Sequence, residues 1–131
     1  MGASITMAKG ASDAGLYPSV AVIGDSTFTH SGMTGLLDAV NENSNIVVVI
    51  SDNETTAMTG GQDSQGTGKI EAICLGLGVD PAHVRVFVPL KKNYEEMKQI
   101  IREEVEYKGL SVLIPRRECI QTMKRKHKAS K

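Results

Sequence analysis

The chain has 131 residues, enough for one domain that buries a core of its own without disulfides or a structural metal. Hydrophobic residues make up 40% of the chain and charged residues 23%, and no apolar run reaches the roughly 18 residues that a membrane span needs. This composition is typical of a soluble globular protein. Because the sequence has two cysteines and no recognisable signal peptide, we expect a protein of the cytoplasm.

Charge is balanced over the whole chain but not along it. Fifteen basic and fifteen acidic residues give a net charge of zero, which argues against broad binding to nucleic acid. Residues 1–90 hold 3 basic and 9 acidic side chains, whereas residues 91–131 hold 12 and 6. Residues 121–131 are basic without apolar periodicity, which predicts a solvated, mobile tail after a domain at 1–120, with a docking patch as the alternative.

Apolar runs alternate with amphipathic stretches, a pattern typical of a parallel sheet covered by helices on both faces. The predicted strands are residues 19–23, 45–51, 84–88 and 110–114. The predicted helices are residues 3–14, 32–43, 67–77 and 93–107, the last capped by Asn93. Domains of this type usually begin with a strand, so we expect an earlier strand to be missing, with a native start at Met1 as the alternative.

Polar segments follow the first two predicted strands. Gly24-Asp25-Ser26 is the first segment and Asp52-Asn53 is the second, with 26 residues between Ser26 and Asn53. In a right-handed βαβ unit the two strands can lie about 4.8 Å apart with their carboxyl ends at one edge. Doubly wound folds bind ligands at this edge, where helix N-termini favour phosphate groups. We therefore expect Asp25 and Asn53 to face one point.

The oxygen donors at this edge match the requirements of Mg²⁺. The ion takes six oxygens, usually few from protein and the rest from phosphate and water. The predicted metal ligands are the Asp25 carboxylate, the Asn53 amide oxygen and the backbone carbonyl of Thr55, with a diphosphate and water completing the shell. Each segment alone is common in helix caps and turns, so the prediction depends on their joint spacing.

The combined pattern resembles the thiamine diphosphate motif of enzymes that use this cofactor with Mg²⁺. Met58-Thr59-Gly60-Gly61-Gln62 resembles the loop after the second metal ligand in 2-oxoacid:ferredoxin oxidoreductases. Gly24-Asp25-Ser26-Thr27-Phe28, followed by His30-Ser31-Gly32, looks like the version found in indolepyruvate ferredoxin oxidoreductases. Ser26 stands where most thiamine diphosphate enzymes have glycine, and serine is usual at this position in the indolepyruvate group.

The resemblance extends from Met1 to Cys119 and implies an α/β fold with a three-layer parallel sheet flanked by helices, the diphosphate-binding domain of the α subunit. That family decarboxylates aryl 2-oxo acids oxidatively, passes electrons through iron-sulfur clusters to ferredoxin and gives the acyl group to coenzyme A. The implied partners are a pyrimidine-binding domain of the same subunit, the β subunit and ferredoxin, without nucleic acid or membrane. The activating glutamate and the clusters lie elsewhere in that family, so the isolated chain is expected to be inactive.

The resemblance also implies which residues contact the cofactor. They are Gly24, Asp25, Ser26, Asn53, Thr55, Met58, Thr59 and Gly60. His30 is the candidate catalytic residue, with a loop or capping histidine as the alternative. Met58 is a candidate support for the bent cofactor, with ordinary packing as the alternative. Gly60, Gly61, Gly66 and Gly68 are expected to allow close approach to diphosphate in a loop that is loose without ligand.

Other residues have simpler interpretations. Cys74 is expected to pack in the core, and Cys119 is a lone thiol outside any Cys-x-x-Cys cluster, so no iron-sulfur centre is predicted on this chain. Arg116 and Arg117 are expected at a solvated strand end, with pairing to a neighbouring domain as the alternative.

Three other functions stay open at this point. The chain can serve the same cofactor in an oxidoreductase for pyruvate, 2-oxoglutarate or a branched 2-oxo acid. A flavodoxin-like or receiver-like module would bind Mg²⁺ through Asp25 or Asp52 without thiamine, but Gly24-Asp25-Ser26 lacks the acidic pair that receiver domains need. The third is a non-catalytic assembly domain with a vestigial site, against which the intact Asp25 and Asn53 argue.

Overall fold

Strands and helices alternate along the chain. The computed structural model describes residues 2–54 and 68–130. In chain order the elements are α1 (Ser4–Asp13), β1 (Val20–Gly24), α2 (Asp25–Thr27), a π-helical turn (Phe28–Gly32), α3 (Met33–Asn41), β2 (Val47–Ser51), α4 (Ile70–Gly76), a 3₁₀ turn (Pro81–His83), β3 (Val84–Phe87), a second 3₁₀ turn (Lys91–Asn93), α5 (Tyr94–Glu106), β4 (Ser111–Pro115) and α6 (Ile120–Ala129).

The described strands form one parallel sheet in the order β1-β2-β4-β3. The connection from β1 through α3 to β2 is a βαβ unit whose strands are direct neighbours, as the sequence predicts. Their register pairs Val20 with Val47 and Gly24 with Ser51, so the two strands end at the same level. The polar segments that follow these strands therefore leave the sheet at one edge.

Helices α1, α3 and α4 cover one face of the sheet. Ile5 from α1, Leu36 from α3 and Ile70 from α4 are fully buried in one cluster with alternate residues of β1, β2 and β4. Those strand residues are Ala21, Ile23, Val48, Ile50, Val112 and Ile114. Their period of two follows from the pleat of the strands, which turns every second side chain to the same face.

Helix α5 covers the opposite face. Ile100 is buried there against Val47 and Leu113, with Val105 and Phe87 packed around them. The cover does not extend over β1, where Val20 is 48% exposed and Val22 is 63% exposed. The three-layer parallel arrangement that the sequence predicts is confirmed, with an open apolar strip on its edge strand.

A polar network lies at the amino end of β4, at the edge of the sheet opposite the carboxyl ends that the polar segments follow. Glu104 is 2% exposed and its Oε2 atom accepts hydrogen bonds of 2.7 Å from Ser111 Oγ and from the Nδ1 atom of His83. Arg85 donates to Oε1 of Glu104 at 3.1 Å, and the His83 ring stacks on Tyr107 with centroids 3.5 Å apart. Buried carboxylates need such partners, so this network ties α5 to the sheet.

The predicted strands are confirmed to within two residues at either end, and so are the helices predicted at 3–14, 32–43 and 93–107. Ahead of α3, the structure adds helical backbone that the sequence does not predict, from Asp25 through the π-helical turn. The helix predicted at 67–77 is described over Ile70–Gly76, and Thr67 lies outside the described residues. Asn93 stands at the start of α5 but does not cap it, since its Nδ2 atom donates to the Val88 carbonyl instead.

The basic tail predicted after residue 120 lies largely within a helix, which the sequence analysis does not predict. Helix α6 covers Ile120–Ala129, a stretch without glycine or proline and rich in residues that form helices readily. Lys124, His127 and Lys128 are exposed there, as expected of a solvated surface. Among the described helices, none combines the length and apolar character that crossing a bilayer requires.

Candidate functional site

The two polar segments meet at the carboxyl edge of the sheet. Gly24 and Ser51 are register partners in β1 and β2, so Asp25 and Asp52 are the next residues of neighbouring strands. Neighbouring strands lie about 4.8 Å apart. Asn53 follows one position further along the chain.

Asp25 is a buried acid at the start of a helix. It is 3% exposed, and its Oδ1 atom accepts a 2.7 Å hydrogen bond from the N–H of Ser26. Its Oδ2 atom is also buried and has no hydrogen-bond partner among residues 2–54 and 68–130. A buried acceptor without a partner is costly, and a cation or a donor from a ligand would supply what is missing.

The electrostatic surroundings of Asp25 oppose its ionisation. Burial raises the pKa of its carboxyl group above the ordinary value of 3.8, and nearby Asp52 raises it further. The peptide N–H groups of Ser26 and Asn53 act in the opposite direction. A divalent cation close to this carboxyl group would favour its ionised form.

The helix after Asp25 is held by short polar side chains. Thr29 Oγ1 donates to the carbonyls of Asp25 and Ser26 at 3.1 Å, a back-bonding pattern that bends helices. The π-helical turn that follows places Phe28 fully inside the core. A side chain at Gly32 would put a Cβ 2.8 Å from Ile23 Cδ1, so glycine permits this close packing below the site.

Asp52 shapes the turn that carries Asn53. Its Oδ1 atom accepts a 3.1 Å hydrogen bond from the N–H of Glu54, whose φ of 59° lies in the left-handed region. Side-chain bonds of aspartate to the backbone two residues on are typical of turns. The carbonyl of Asn53 accepts from the N–H of Cys119 at 3.3 Å, which ties this turn to the start of α6.

An ion-pair network that the sequence does not reveal holds Asp52. Arg116, just beyond β4, donates from Nε to Asp52 Oδ2 at 2.7 Å and from Nη1 to Glu71 Oε1 at 2.8 Å. The expected solvated role for Arg116 is therefore wrong, because its guanidinium is occupied within this domain. Arg117 is exposed, as expected. The sequence places Arg116 at the end of a predicted strand, which is compatible with an ion pair there. Its spacing from Asp52 and Glu71 does not predict that these two acids are its partners.

His30, the candidate catalytic residue, lies within the π-helical turn, in helical backbone rather than in the loop or cap of the alternative interpretation. Its side chain is exposed. With Ser26, Thr27 and Ser31 it lines an open cleft of about 510 Å³ beside Asp25. This cleft lies along the helix that begins at Asp25.

Several predicted site residues lie outside the described residues. They are Thr55, Met58, Thr59, Gly60, Gly61, Gln62 and Gly66. Within the described part of the chain, no group of three His, Cys, Asp or Glu side chains is arranged to hold a metal. A site made from Asp25, Asn53 and a backbone carbonyl is of a different kind, because it uses one carboxylate and two neutral oxygens.

The two cysteines have separate environments. Cys74 is fully buried in α4 and packs in the larger core cluster, as predicted, and burial raises the pKa of its thiol to about 12. Such a thiol is inert at neutral pH. Cys119 is half-buried, and its carbonyl accepts from the N–H of Met123 at the start of α6.

Comparison with known proteins identifies relatives of the whole domain. The family model of the thiamine pyrophosphate enzyme C-terminal TPP binding domain matches residues 1–114. The indolepyruvate oxidoreductase subunit IorA of Pyrococcus horikoshii is 38% identical over 110 residues, and that of Archaeoglobus fulgidus is 37% identical over 130 residues. These alignments cover 76% and 91% of this chain but 16% and 20% of the relatives, so the chain spans about a fifth of their length or less.

Solved structures share the fold at lower identity. A 2-oxoglutarate:ferredoxin oxidoreductase from Magnetococcus marinus superposes with a TM-score of 0.68 at 19% identity, over 90% of this chain and 45% of that chain. A thiamine diphosphate-dependent 4-hydroxybenzoylformate decarboxylase from Rhodococcus jostii RHA1 gives 0.66 at 21% identity, over 90% and 23%. Because this family model matches residues 1–114, the alternative of a flavodoxin-like or receiver-like module is excluded. The chain belongs to the C-terminal TPP-binding domains of thiamine pyrophosphate enzymes, and the curated relatives described above are indolepyruvate oxidoreductase subunits.

Proposed function

We propose that this chain is the diphosphate- and Mg²⁺-binding domain of a thiamine diphosphate-dependent indolepyruvate:ferredoxin oxidoreductase. The observation that carries the proposal is the Oδ2 atom of Asp25, buried at the carboxyl edge and without a hydrogen-bond partner among the described residues. A metal ion there would supply the missing partner. The names of the relatives at 37–38% identity support indolepyruvate as the substrate.

In this proposal Asp25, Asn53 and Thr55 are the metal ligands. The Asp25 carboxylate provides the single negative charge, the Asn53 amide and the Thr55 carbonyl provide neutral oxygens, and the cofactor's diphosphate completes the charge balance. The adjoining Gly24 and Ser26 contact the diphosphate side of the cofactor. Asp52 is not a ligand, since Arg116 and the Glu54 N–H occupy its two carboxylate oxygens.

The remaining proposed contacts to the cofactor and substrate come from residues 58–60 and from His30. Met58, Thr59 and Gly60 pack over the bent cofactor, and the exposed His30 faces substrate or a phosphate from the cleft beside Asp25. Bound thiamine diphosphate supplies the carbanion chemistry of the decarboxylation. The residues of this chain anchor the charged end of the cofactor and orient its ring system. The activating glutamate belongs to the pyrimidine-binding domain, so the isolated chain is inactive.

The rest of the subunit is the first partner of this domain. We infer that the preceding part of the same polypeptide covers the open strip on β1, where Val20 and Val22 are exposed at the sheet edge. Support comes from the relatives, which are about five times longer than this chain or more. The other proposed partners are the β subunit, ferredoxin, coenzyme A and an aryl 2-oxo acid, all in the cytoplasm, with iron-sulfur clusters outside this chain.

One second candidate keeps the cofactor and changes the substrate. This alternative is an oxidoreductase for 2-oxoglutarate, pyruvate or a branched 2-oxo acid, and a structural neighbour that is a 2-oxoglutarate:ferredoxin oxidoreductase shares the fold. That likeness is at 19% identity and therefore bears on the fold, whereas the relatives named for indolepyruvate are about twice as similar in sequence. Indolepyruvate is thus the better supported substrate.

Cofactor binding is tested by titration calorimetry of the complete native enzyme with thiamine diphosphate and Mg²⁺. The unaltered enzyme should bind with an affinity that depends on Mg²⁺. Asp25→Ala and Asn53→Ala should each weaken binding, whereas Asp13→Ala, a change at an exposed acid on α1, should not. Equal affinity in all variants would show that the metal assignment is wrong.

Substrate choice is tested on the same enzyme with indolepyruvate, phenylpyruvate and pyruvate, measuring reduction of ferredoxin and formation of the acyl-CoA. The proposal predicts the highest kcat/KM for an aryl substrate. A preference for pyruvate would replace indolepyruvate by the second candidate while leaving the cofactor assignment intact.

A further inference from the structure

The guanidinium of Arg116 bridges two carboxylates that are far apart in sequence. Its Nε atom lies 2.7 Å from Oδ2 of Asp52, and its Nη1 atom lies 2.8 Å from Oε1 of Glu71. Asp52 directly follows β2, and Glu71 is in the first turn of α4. Arg116 thus links the residue that follows β2 to the first turn of α4.

The hydrogen bond from Arg116 fixes the side chain of Asp52, which also accepts a hydrogen bond from the backbone of the following turn. With Oδ2 held by Arg116, the Oδ1 atom of Asp52 accepts from the N–H of Glu54. Glu54 has a left-handed backbone, which is unfavourable for a residue with a Cβ and needs support from its surroundings. The Asp52 side chain gives that support, so Arg116 acts on the turn that includes Asn53.

The backbone around this pair is tied in the same register. The N–H of Asp52 donates to the Pro115 carbonyl, and the N–H of Arg117 donates to the Asp52 carbonyl, both at 3.0 Å. Asp52 and Arg116 thereby extend the pairing of β2 and β4 beyond the strand ends. The Asp52 side chain is fully buried, while those of Arg116 and Glu71 are 27% and 47% exposed. The best shielded contact of the network is therefore the one next to Asn53.

We propose that Arg116 is a positioning residue for the metal and diphosphate site, acting through Asp52 on Asn53 and Glu54 and through Glu71 on the start of α4. Arg116 itself contacts neither metal nor cofactor in this account. The proposal rests on the proposed function, because it assigns a purpose to a turn that carries a predicted metal ligand. Its structural part, support of the Glu54 turn, is independent of any ligand.

Its first test measures Mn²⁺ affinity of the complete native enzyme in the presence of thiamine diphosphate, by electron paramagnetic resonance of free Mn²⁺. Loss of a group that orients a metal ligand typically weakens affinity about 10- to 100-fold, which we expect for Arg116→Met. Arg116→Lys should recover part of this loss, since one ammonium can still reach one carboxylate. The matched control Arg117→Gln, at the adjacent exposed arginine, should leave affinity unchanged.

A second, milder variant keeps the test decisive if Arg116→Met fails to fold. Glu71→Gln removes one end of the bridge at a half-exposed position, so the protein should keep its melting temperature while Mn²⁺ affinity falls severalfold. Glu95→Gln, in the first turn of α5, is its control and should change neither quantity. Unchanged Mn²⁺ affinity in both Arg116→Met and Glu71→Gln would overturn the proposal.

The second test is hydrogen exchange at the Glu54 amide without metal or cofactor. Arg116→Met should speed this exchange about tenfold or more, and Arg116→Lys should slow it again. If Asp25→Ala leaves Mn²⁺ affinity at the unaltered level, the proposed function fails, and the Glu54 exchange still decides whether Arg116 supports the turn. If Asp25→Ala weakens affinity while Arg116→Met changes neither readout, only the role of Arg116 is wrong.

Discussion

Gly24 at the end of β1 is the direct register partner of Ser51 at the end of β2. The acids that follow them, Asp25 and Asp52, therefore leave the sheet at the same level, yet they are used differently. Both carboxylate oxygens of Asp52 accept hydrogen bonds from the protein, whereas Oδ2 of Asp25 has no partner among the described residues. One acid builds the turn, and the other is available for a ligand.

Replacing Asp52 should destabilise the domain. Asp52→Asn keeps an acceptor for the Glu54 N–H but removes the charge that holds Arg116, and hydrogen bonds to charged groups contribute about 1.5 to 3 kcal/mol. We expect a loss of that size in the free energy of unfolding, measured by urea denaturation. Asp13→Asn, which breaks a surface pair with Lys9, should cost less than about 1 kcal/mol. Equal losses in the two variants would contradict this account.

Gly32→Ala should be destabilising because there is no room for a methyl group. The added Cβ would lie 2.8 Å from Ile23 Cδ1 and 3.0 Å from Phe28 Cδ2, and overpacking of this kind costs about 1 to 3 kcal/mol. The control is Gly10→Ala in α1, where the Cβ meets nothing within 4 Å. That helical change should stabilise by about 0.5 to 1 kcal/mol. Thermal unfolding of both variants checks the opposite signs.

The Glu104 network predicts a loss of stability in acid. Burial alone would raise the pKa of Glu104, but hydrogen bonds from Ser111, His83 and Arg85 outweigh it and hold the pKa below the ordinary value of 4.5. A lowered folded-state pKa adds stability above the unfolded pKa, and this stability is lost as pH falls through the folded value.

Comparing urea denaturation of the unaltered domain and Glu104→Gln between pH 7 and pH 3 isolates this contribution. The unaltered domain should be the more stable one at neutral pH, and the difference should shrink below about pH 4.5. Parallel stability curves over this range would show that Glu104 does not carry the predicted linkage.

The open strip on β1 predicts different effects of one substitution in two contexts. Val22 is 63% exposed in this chain, so Val22→Lys should change the stability of the 131-residue chain by about 0.5 kcal/mol or less. In the complete subunit, where we propose that this strip is covered, the same change should lower the melting temperature clearly. Equal effects in both would mean that Val22 stays exposed in the subunit.

The sequence was most informative about the strands and the edge where they end. Runs such as 46–50 are continuously apolar and β-branched because both faces of the strand are covered, and this pattern has few alternatives. The adjacency of β1 and β2 followed from the right-handed βαβ rule. From these two features Asp25 and Asn53 were predicted at one edge.

Other features depend on contacts that no local pattern encodes. Arg116 and Asp52 are 64 positions apart, and their pairing follows from the extension of β4 beside β2. The π-helical turn at Phe28–Gly32 buries Phe28 in the core and brings Gly32 close to Ile23, and no local sequence pattern encodes that packing. His83, Arg85 and Ser111 surround Glu104 for the same kind of reason, because three separate elements bring them together.

Anomalous diffraction from crystals of the complete enzyme with Mn²⁺ and thiamine diphosphate would show directly whether Asp25 and Asn53 bind the metal. We predict one Mn²⁺ peak about 2.0 to 2.2 Å from a carboxylate oxygen of Asp25 and from the side-chain oxygen of Asn53, with diphosphate oxygens in the same shell. A cofactor-associated Mn²⁺ peak that is not coordinated by Asp25 and Asn53 would contradict it.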